Sequence, residues 1–250
     1  MWTDTHCHLP TDSAREWLDQ ARAGRVDRFV TVGTDLESSA AAISLAEQHE
    51  GVFATVGVHP HDAVHGCDGL EALLASPVVV AVGECGLDYF YLHSEIADQR
   101  TAFEHQIALA KHHHLALVIH TRDAWDDTFA ILDEVGTPDR TVFHCFTGGP
   151  SEAERCLALG AFISFSGIVT FPKAPEVAAA ARMVPLGRIV VETDSPYLSP
   201  VPFRGKPNRP QNVAVVGEFL ASLLELDAGV FAAQTSINAD ALFGLNGASR

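Results

Sequence analysis

Short runs rich in β-branched and aromatic residues recur eight times along the chain, separated by longer stretches of helical character. Most of these runs are almost continuously apolar, as expected of parallel strands that are covered on both faces. The predicted strands are Trp2–His8, Arg28–Gly33, Val52–Val58, Val78–Glu84, Ala116–Thr121, Thr141–Phe146, Phe162–Gly167 and Ile189–Asp194.

The segments between these strands carry apolar residues at the spacing of amphipathic helices. The predicted helices include Leu36–Glu50, Ser94–His114, Ser151–Leu159, Ala214–Leu226 and Gly229–Phe243. Strand and helix therefore alternate throughout the chain, which predicts an α/β protein with a (β/α)8 TIM-barrel fold. In this fold the active site lies at the C-terminal ends of the strands.

The length of 250 residues fits one such barrel. Because no linker rich in Pro or Gly divides the chain, we predict a single domain over residues 1–250. The only long irregular stretch, Ser199–Pro210, follows the last predicted strand. Active-site loops of a barrel are found at this position.

Acidic residues outnumber basic ones by 32 to 16, which gives a formal net charge of −16. This balance excludes a basic protein that coats nucleic acid. No apolar run approaches the roughly 18 residues of a membrane span, and the first residues lack the basic region of a signal peptide. Five cysteines without paired spacing indicate a reducing compartment. We expect a cytoplasmic protein without membrane contact, and nothing in the sequence indicates an obligate protein partner.

Histidines and carboxylates occupy the ends of five of the predicted strands. His6 and His8 are two residues apart and therefore point to the same face of the first strand. Because the strands of a barrel end at one mouth, we expect the side chains at these ends to converge. The converging residues are His6, His8, Glu84, His120, His144 and Asp194. Four imidazoles and two carboxylates suit two divalent ions, and zinc, manganese, cobalt and magnesium all accept such ligands.

A hydrogen-bonded histidine near a strand end would explain any one of these residues by itself. It does not explain why all of them fall at the same place in separate strand–helix units. Cys7, Cys85 and Cys145 each follow a proposed ligand, and strand alternation predicts that they face the helices as small buried side chains. His59 and His61 follow the third strand, where a substrate contact and a structural role fit the sequence equally well.

Seven ordered stretches resemble the TatD family of metal-dependent deoxyribonucleases, within the amidohydrolase-like barrels. The stretches are DTHCHL at 4–9, GVHPH at 57–61, GECGLDYF at 83–90, IHTRDA at 119–124, HCFTG at 144–148, SFSGIVTF at 164–171 and ETDSPYLSPVPFRGKPNRP at 192–210. They cover nearly the whole chain, so the resemblance is far more specific than a lone HxH motif.

The resemblance implies a role for each candidate ligand. One ion would be held by His6, His8 and Asp194 and the other by His120 and His144, with Glu84 bridging the two ions. It further implies substrate-phosphate contacts by His59 or His61, Arg122, Arg204 and Lys206. The sequence departs from the family's usual pattern at Glu104, His105 and Ala116. These departures touch no metal ligand, but they bear on how nucleic acid approaches.

The resemblance, together with this ligand set, implies a hydrolase that cleaves phosphodiester bonds of DNA with a water activated by two metal ions. In this hypothesis Glu84 and Asp194 are the catalytic residues, and Asp194 takes the proton of the attacking water. The acidic chain disfavours extensive contact with duplex DNA, whereas local cations at the mouth favour strand ends or single strands. We therefore predict an exonuclease with two divalent ions as cofactors and DNA as substrate.

Two alternatives remain open from the sequence. The same metal site would serve an amidohydrolase-type enzyme acting on a small ester, lactone or amide, or a deacylase of acylated nucleic acid. A metal-binding protein without catalysis would need a closed coordination shell, whereas six protein ligands shared by two ions leave open positions.

Overall fold

Eight parallel strands alternate with helices in the computed structural model, which describes residues 1–245. The strands are β1 (Trp2–Cys7), β2 (Val26–Val32), β3 (Val52–Val56), β4 (Val79–Asp88), β5 (Ala116–Arg122), β6 (Thr141–Phe143), β7 (Phe162–Phe165) and β8 (Ile189–Val191). The helices are α1 (Ala14–Ala23), α2 (Leu36–Gln48), α3 (Leu70–Leu73), α4 (Ile96–His112), α5 (Trp125–Val135), α6 (Pro150–Ala158), α7 (Pro175–Met183), α8 (Val213–Leu223) and α9 (Ala228–Phe243). None of the described helices is long and apolar enough to cross a membrane.

The strands form a sheet in the order β1 to β8, and every neighbouring pair is parallel. β1 closes against the chain just beyond β8, where Cys7 pairs with Ser195. Here the His8 amide donates to the Ser195 carbonyl at 2.8 Å, and the Asp194 amide donates to the His6 carbonyl at 2.9 Å. The predicted (β/α)8 barrel is confirmed, and this closure seam runs through three predicted ligands.

Every strand end at the mouth of the barrel differs from the sequence prediction by one to four residues, and the differences at β4 and β8 bear on the candidate site. β4 continues past Glu84 to Asp88, because it keeps pairing with β5 as far as that residue. β8 ends at Val191 rather than at Asp194, whose φ of 55° is incompatible with a strand. The first difference places an additional carboxylate at the mouth, and the second places Asp194 on a turn.

Buried side chains pack on both faces of the sheet. One cluster fills the space between the strands and the surrounding helices. The other joins residues of β2 to β8 to the end of α9, and consists of Val30, Phe53, Val80, Ala81, Ala116, Val118, Val142, Phe162, Val190, Ala239, Leu242, Phe243 and Leu245. Because alternate residues share a strand face, Val118 points the same way as His120. The end of α9 therefore closes the bottom of the barrel, while the same inward faces carry polar groups at the top.

Gly86 lies where β4 passes close to β5. Its φ is +135°, and a Cβ at this position would stand 2.0 Å from the His120 carbonyl oxygen. Backbone strain and a clash with backbone would therefore combine. We expect Gly86→Ala to lower the free energy of unfolding by about 3 kcal/mol or more, measured by urea denaturation. Gly187→Ala is the control, because a Cβ there meets no atom within 4 Å; equally small losses in both variants would contradict this packing.

Candidate metal centre

A cavity of about 860 Å³ opens at the C-terminal ends of the strands. Its volume lies in the range typical of ligand sites. Five of the six predicted ligands line it, namely His8, Glu84, His120, His144 and Asp194. The sixth, His6, is fully buried beside Glu84. The barrel thus brings all six predicted ligands to one place.

The first group of ligands forms at the closure seam. His6 and His8 extend from the end of β1, and Asp194 follows β8. The Asp194 Oδ1 atom lies 3.8 Å from His6 Nε2 and 3.5 Å from His8 Nε2. One ligand atom from each of these residues falls within 4.8 Å of the others, which is the spacing expected around one ion.

The second group surrounds the Glu84 carboxylate. Glu84 Oε1 lies 2.9 Å from His120 Nδ1 and 2.8 Å from His144 Nε2, and those two nitrogens are 3.5 Å apart. The other carboxylate oxygen, Oε2, lies 3.3 Å from His6 Nε2. Glu84 therefore stands between the two groups, with one oxygen turned to each.

His59 also belongs to the second group, although its place in the sequence indicates only a substrate contact or a structural role. Its Nε2 atom lies 3.4 Å from Glu84 Oε1, and His59, Glu84 and His120 form a compact set of potential ligands. His61 points instead to Asp88, with 3.1 Å between Nε2 and Oδ2. The sequence alone does not indicate that these two histidines have different partners.

Two carboxylates that the sequence analysis did not single out contact the outer nitrogens of the candidate ligands. Asp88 Oδ2 lies 3.1 Å from His120 Nε2, on the ring edge opposite Glu84. Glu192 Oε1 lies 3.3 Å from His144 Nδ1 and accepts a hydrogen bond from the Cys145 amide at 2.8 Å. Such carboxylates fix the orientation of metal-binding imidazoles. Both residues lie in motifs of the sequence, but neither stands at the end of a predicted strand.

The electrostatics of the cluster suit a cation. Burial alone would raise the pKa of Glu84, but the imidazoles of His144 and His59 outweigh it and hold that pKa well below its usual range. Burial likewise opposes ionisation of Asp194, yet the hydrogen bond from His8 and the adjacent imidazole of His6 lower its pKa. Both carboxylates are therefore ionised at neutral pH.

His6 supplies the test of whether this donor set fits a metal. Burial, followed by the neighbouring charge of His144, lowers the pKa of His6, so its imidazole is neutral. Within residues 1–245, neither ring nitrogen of His6 has a hydrogen-bond partner, although both are buried. A neutral imidazole with a free lone pair beside two ionised carboxylates is the donor set that a divalent ion requires. The residues therefore fit the predicted metals.

Asp4 links β1 to the segment after β8 at the closure seam. Its carboxylate accepts hydrogen bonds from the Thr193 amide at 2.8 Å and the Thr193 hydroxyl at 2.6 Å. Complete burial nevertheless raises the pKa of Asp4 well above its usual value. This contact therefore fixes Thr193, the residue before Asp194, against β1. Asp4 itself precedes His6 by two residues.

The basic residues predicted to contact phosphate lie in different places. Arg122 ends β5 and lines the cavity. Arg204 and Lys206 are exposed on the loop after β8, and neither is among the described residues that line the cavity. The Arg204 guanidinium instead lies over the Phe171 ring, 3.9 Å from its centroid.

The predicted burial of the cysteines holds for two of the three that follow a candidate ligand. Cys7 and Cys85 are fully buried. Cys145 is partly exposed and lines the cavity, with its Sγ atom 3.3 Å from Ser166 Oγ. The prediction that Cys145 faces the helices is wrong, because β6 ends at Phe143 and the φ of Cys145 is 43°, so strand alternation no longer applies.

Comparison with known proteins gives consistent results. The sequence model of the TatD related DNase family matches residues 3–244. The chain is 38% identical over 255 residues to the uncharacterized metal-dependent hydrolase YabD of Bacillus subtilis, an alignment that covers 98% of this chain and 100% of that protein. It is 39% identical over 203 residues to the 3'-5' ssDNA/RNA exonuclease TatD of Cronobacter turicensis, covering 79% of this chain and 77% of that protein.

A solved structure extends the likeness to the fold. The crystal structure of YJJV, a TatD homologue from Escherichia coli K12, matches with a TM-score of 0.91 and 31% identity, covering 97% of this chain and 98% of that one. The family match spans nearly the whole described barrel, and the Bacillus subtilis relative is named as a metal-dependent hydrolase. The chain therefore belongs to the TatD family of metal-dependent hydrolases.

Proposed function

We propose that this hydrolase is an exonuclease that removes nucleotides from the ends of single-stranded DNA with the help of two divalent ions. The observation that carries the proposal is the position of Glu84, whose two oxygens face separate groups of ligands beneath an open cavity. Two ions held in this way supply Lewis-acid stabilisation of the phosphate and a water of lowered pKa.

Each group of ligands would hold one ion. His6, His8 and Asp194 would bind the first, His120 and His144 would bind the second, and Glu84 would bridge them. His59 is a further ligand candidate for the second ion, because it also approaches the Glu84 carboxylate. Zinc, manganese, cobalt and magnesium remain the candidate metals, since the donor set contains only nitrogen and oxygen.

Other residues of the chain would bind and orient the substrate. Asp194 is ionised and reaches the cavity, so its carboxylate can take the proton of the attacking water. Arg122 also lines the cavity, and its guanidinium N–H groups can donate to phosphate oxygens. Arg204 and Lys206, on the exposed loop after β8, would contact phosphates farther along the strand.

Two observations favour single-stranded DNA as the substrate, namely the net charge of the chain and the name of one relative. The net charge of −16 disfavours a surface that follows a duplex, because such binding depends on many Lys and Arg contacts. The Cronobacter turicensis relative is named as a 3'-5' ssDNA/RNA exonuclease, which favours a strand end as substrate here. We expect only a shallow dependence of binding on salt.

The test uses metal-stripped protein and an end-labelled single-stranded oligonucleotide, with Mg²⁺, Mn²⁺ or Zn²⁺ added back. We expect stepwise shortening from one end, and no cleavage by Glu84→Ala. A circular single strand of the same sequence should stay intact, because it offers no end. Cleavage of the circle would contradict exonuclease action. An intact linear strand with every metal, together with hydrolysis of a carboxylic ester, would favour the alternative substrate class.

The contact between Asp88 and His120 gives a prediction on metal affinity. We expect Asp88→Asn to weaken metal binding about 10- to 100-fold, because the His120 ring loses the carboxylate that orients it. The dissociation constant for Zn²⁺ would be measured by competition with a chelating dye. Asp133→Asn, an exposed position on α5, is the control. Equal affinities in the two variants would show that Asp88 does not support the site.

A further inference from the structure

The cavity offers few cations to a nucleic acid. Among the described residues that line it, Arg122 is the one Lys or Arg, whereas Asp62, Glu84, Asp123 and Asp194 supply carboxylates. Within the cavity, phosphate attraction is therefore confined to Arg122 and to the ions that the ligand groups would hold. A strand held at this mouth needs further contacts that do not depend on charge, and nucleobases offer apolar faces for stacking on aromatic rings.

Exposed aromatic side chains are concentrated around this mouth. Of the five exposed Phe and Tyr side chains in residues 1–245, four lie on the connections after β4 and β8. They are Phe90, Tyr91, Tyr197 and Phe203. Exposed apolar groups gathered at one place mark a binding surface, whereas single ones are normal on any protein. The fifth side chain, Phe219, lies on the outer helix α8.

The rings after β4 are already engaged with protein groups. The Arg122 guanidinium carbon lies 4.0 Å from the centroid of the Phe90 ring and 4.7 Å from that of the Tyr91 ring. Tyr91 also stacks on His93 at 5.6 Å and meets His61 edge-on at 5.5 Å. These contacts hold Arg122 at the mouth, and they already engage the Tyr91 ring with three protein groups.

Tyr197 differs from these rings in its environment. It is 62% exposed, the highest value among the large apolar side chains of the described chain. Its closest aromatic contact in that part of the chain is edge-on with His8, with 6.0 Å between ring centroids. Its amide donates a hydrogen bond to the Asp194 carbonyl at 2.8 Å, which fixes its backbone to a candidate metal ligand. The ring lines the cavity and stands at the edge of the first ligand group.

We propose that Tyr197 is a stacking surface for an unpaired nucleobase next to the scissile phosphodiester at a strand end. This inference rests on the proposed exonuclease function and adds to it a residue that recognises the base. Tyrosine suits this role because it offers a large flat face and loses little conformational freedom on binding. Stacking of this kind tolerates any base, so the site selects an unpaired strand rather than a sequence.

The test compares Tyr197→Leu with the wild type on two internally labelled single strands, one intact and one with abasic residues at both ends. On the intact strand we expect Tyr197→Leu to raise KM about tenfold with little change in kcat. The abasic ends should raise the wild-type KM by a similar factor. The two changes should not add, because both remove the same contact.

Two further variants separate stacking from other roles of Tyr197. Tyr197→Phe keeps the ring and loses the hydroxyl, so its KM should stay close to that of the wild type. Phe219→Leu removes an exposed ring far from the cavity and serves as the control. Melting temperatures of all variants show whether the proteins are folded.

Each remaining outcome has a defined meaning. A wild-type protein that leaves both strands intact with every metal overturns the proposed function and this inference with it. Wild-type cleavage with an unchanged KM in Tyr197→Leu overturns the inference alone. The inference is also overturned if Tyr197→Leu raises KM by the same factor on the intact and the abasic strand. It is likewise overturned if Tyr197→Phe raises KM as much as Tyr197→Leu does.

Discussion

Replacing Glu84 by Gln is expected to slow hydrolysis about 1,000-fold or more. The change keeps the shape of the side chain but removes the negative charge that lies between the two ligand groups. His59, His120 and His144 each place a nitrogen close to the same oxygen of this carboxylate. A Gln amide is uncharged, so it cannot replace the carboxylate in these contacts. Initial rates on an end-labelled single strand, together with metal content by mass spectrometry, measure the effect.

The control for this experiment is Glu218→Gln, which removes one negative charge from an exposed position on α8. It should retain the wild-type rate and metal content. Melting temperatures of both variants separate a catalytic loss from unfolding. A Glu84→Gln protein that is folded and hydrolyses the strand at the wild-type rate would refute the central role of this carboxylate.

Removal of the metal ions is expected to produce the largest change in stability. An ion present at 1,000 times its dissociation constant stabilises the folded state by about 4 kcal/mol, and a chain of this size shifts its melting temperature by about 2–4 °C for each kcal/mol. A chelator should therefore lower the melting temperature by about 8–16 °C for each ion lost. Scanning calorimetry at constant pH, with and without chelator, measures the shift.

The fully buried His6 explains why the ion matters for folding. Its two nitrogens lack hydrogen-bond partners within the described chain, and an ion would satisfy one of them. Adding Zn²⁺ back should restore the original melting temperature. Glu84→Gln should respond much less to the chelator, because its site binds metal poorly. An unchanged melting temperature of the wild-type protein in the presence of chelator would contradict tight metal binding.

Barrel topology made the principal site residues predictable. His6, His8, His120 and His144 stand at or directly beyond the C-terminal ends of β1, β5 and β6, and a barrel brings all strand ends to one mouth. The convergence of these residues with Glu84 is the arrangement that the order of the strands around the barrel predicts. The assignment of ions to particular residues remains a prediction, as do the cytoplasmic location and the single domain over residues 1–250.

The features that the sequence did not reveal depend on backbone details. Asp88 reaches His120 only because β4 runs four residues beyond its predicted end. His59 and His61 follow β3 at the start of the 3-10 helix Pro60–His65, where the strand periodicity no longer indicates which way a side chain points. Cys145 faces the cavity because its backbone leaves the strand conformation. Loop and turn dihedral angles decide these positions, and composition carries little information about them.

The closure seam has a consequence for the order of events during synthesis. The first ligand group combines His6 and His8, which leave the ribosome early, with Asp194, which leaves it late. A nascent chain that has not yet reached Asp194 therefore lacks a complete first site, even if its earlier strands have paired. Hydrolytic activity should consequently appear only after the last strand has joined the first. Unfinished or truncated chains would therefore lack hydrolytic activity.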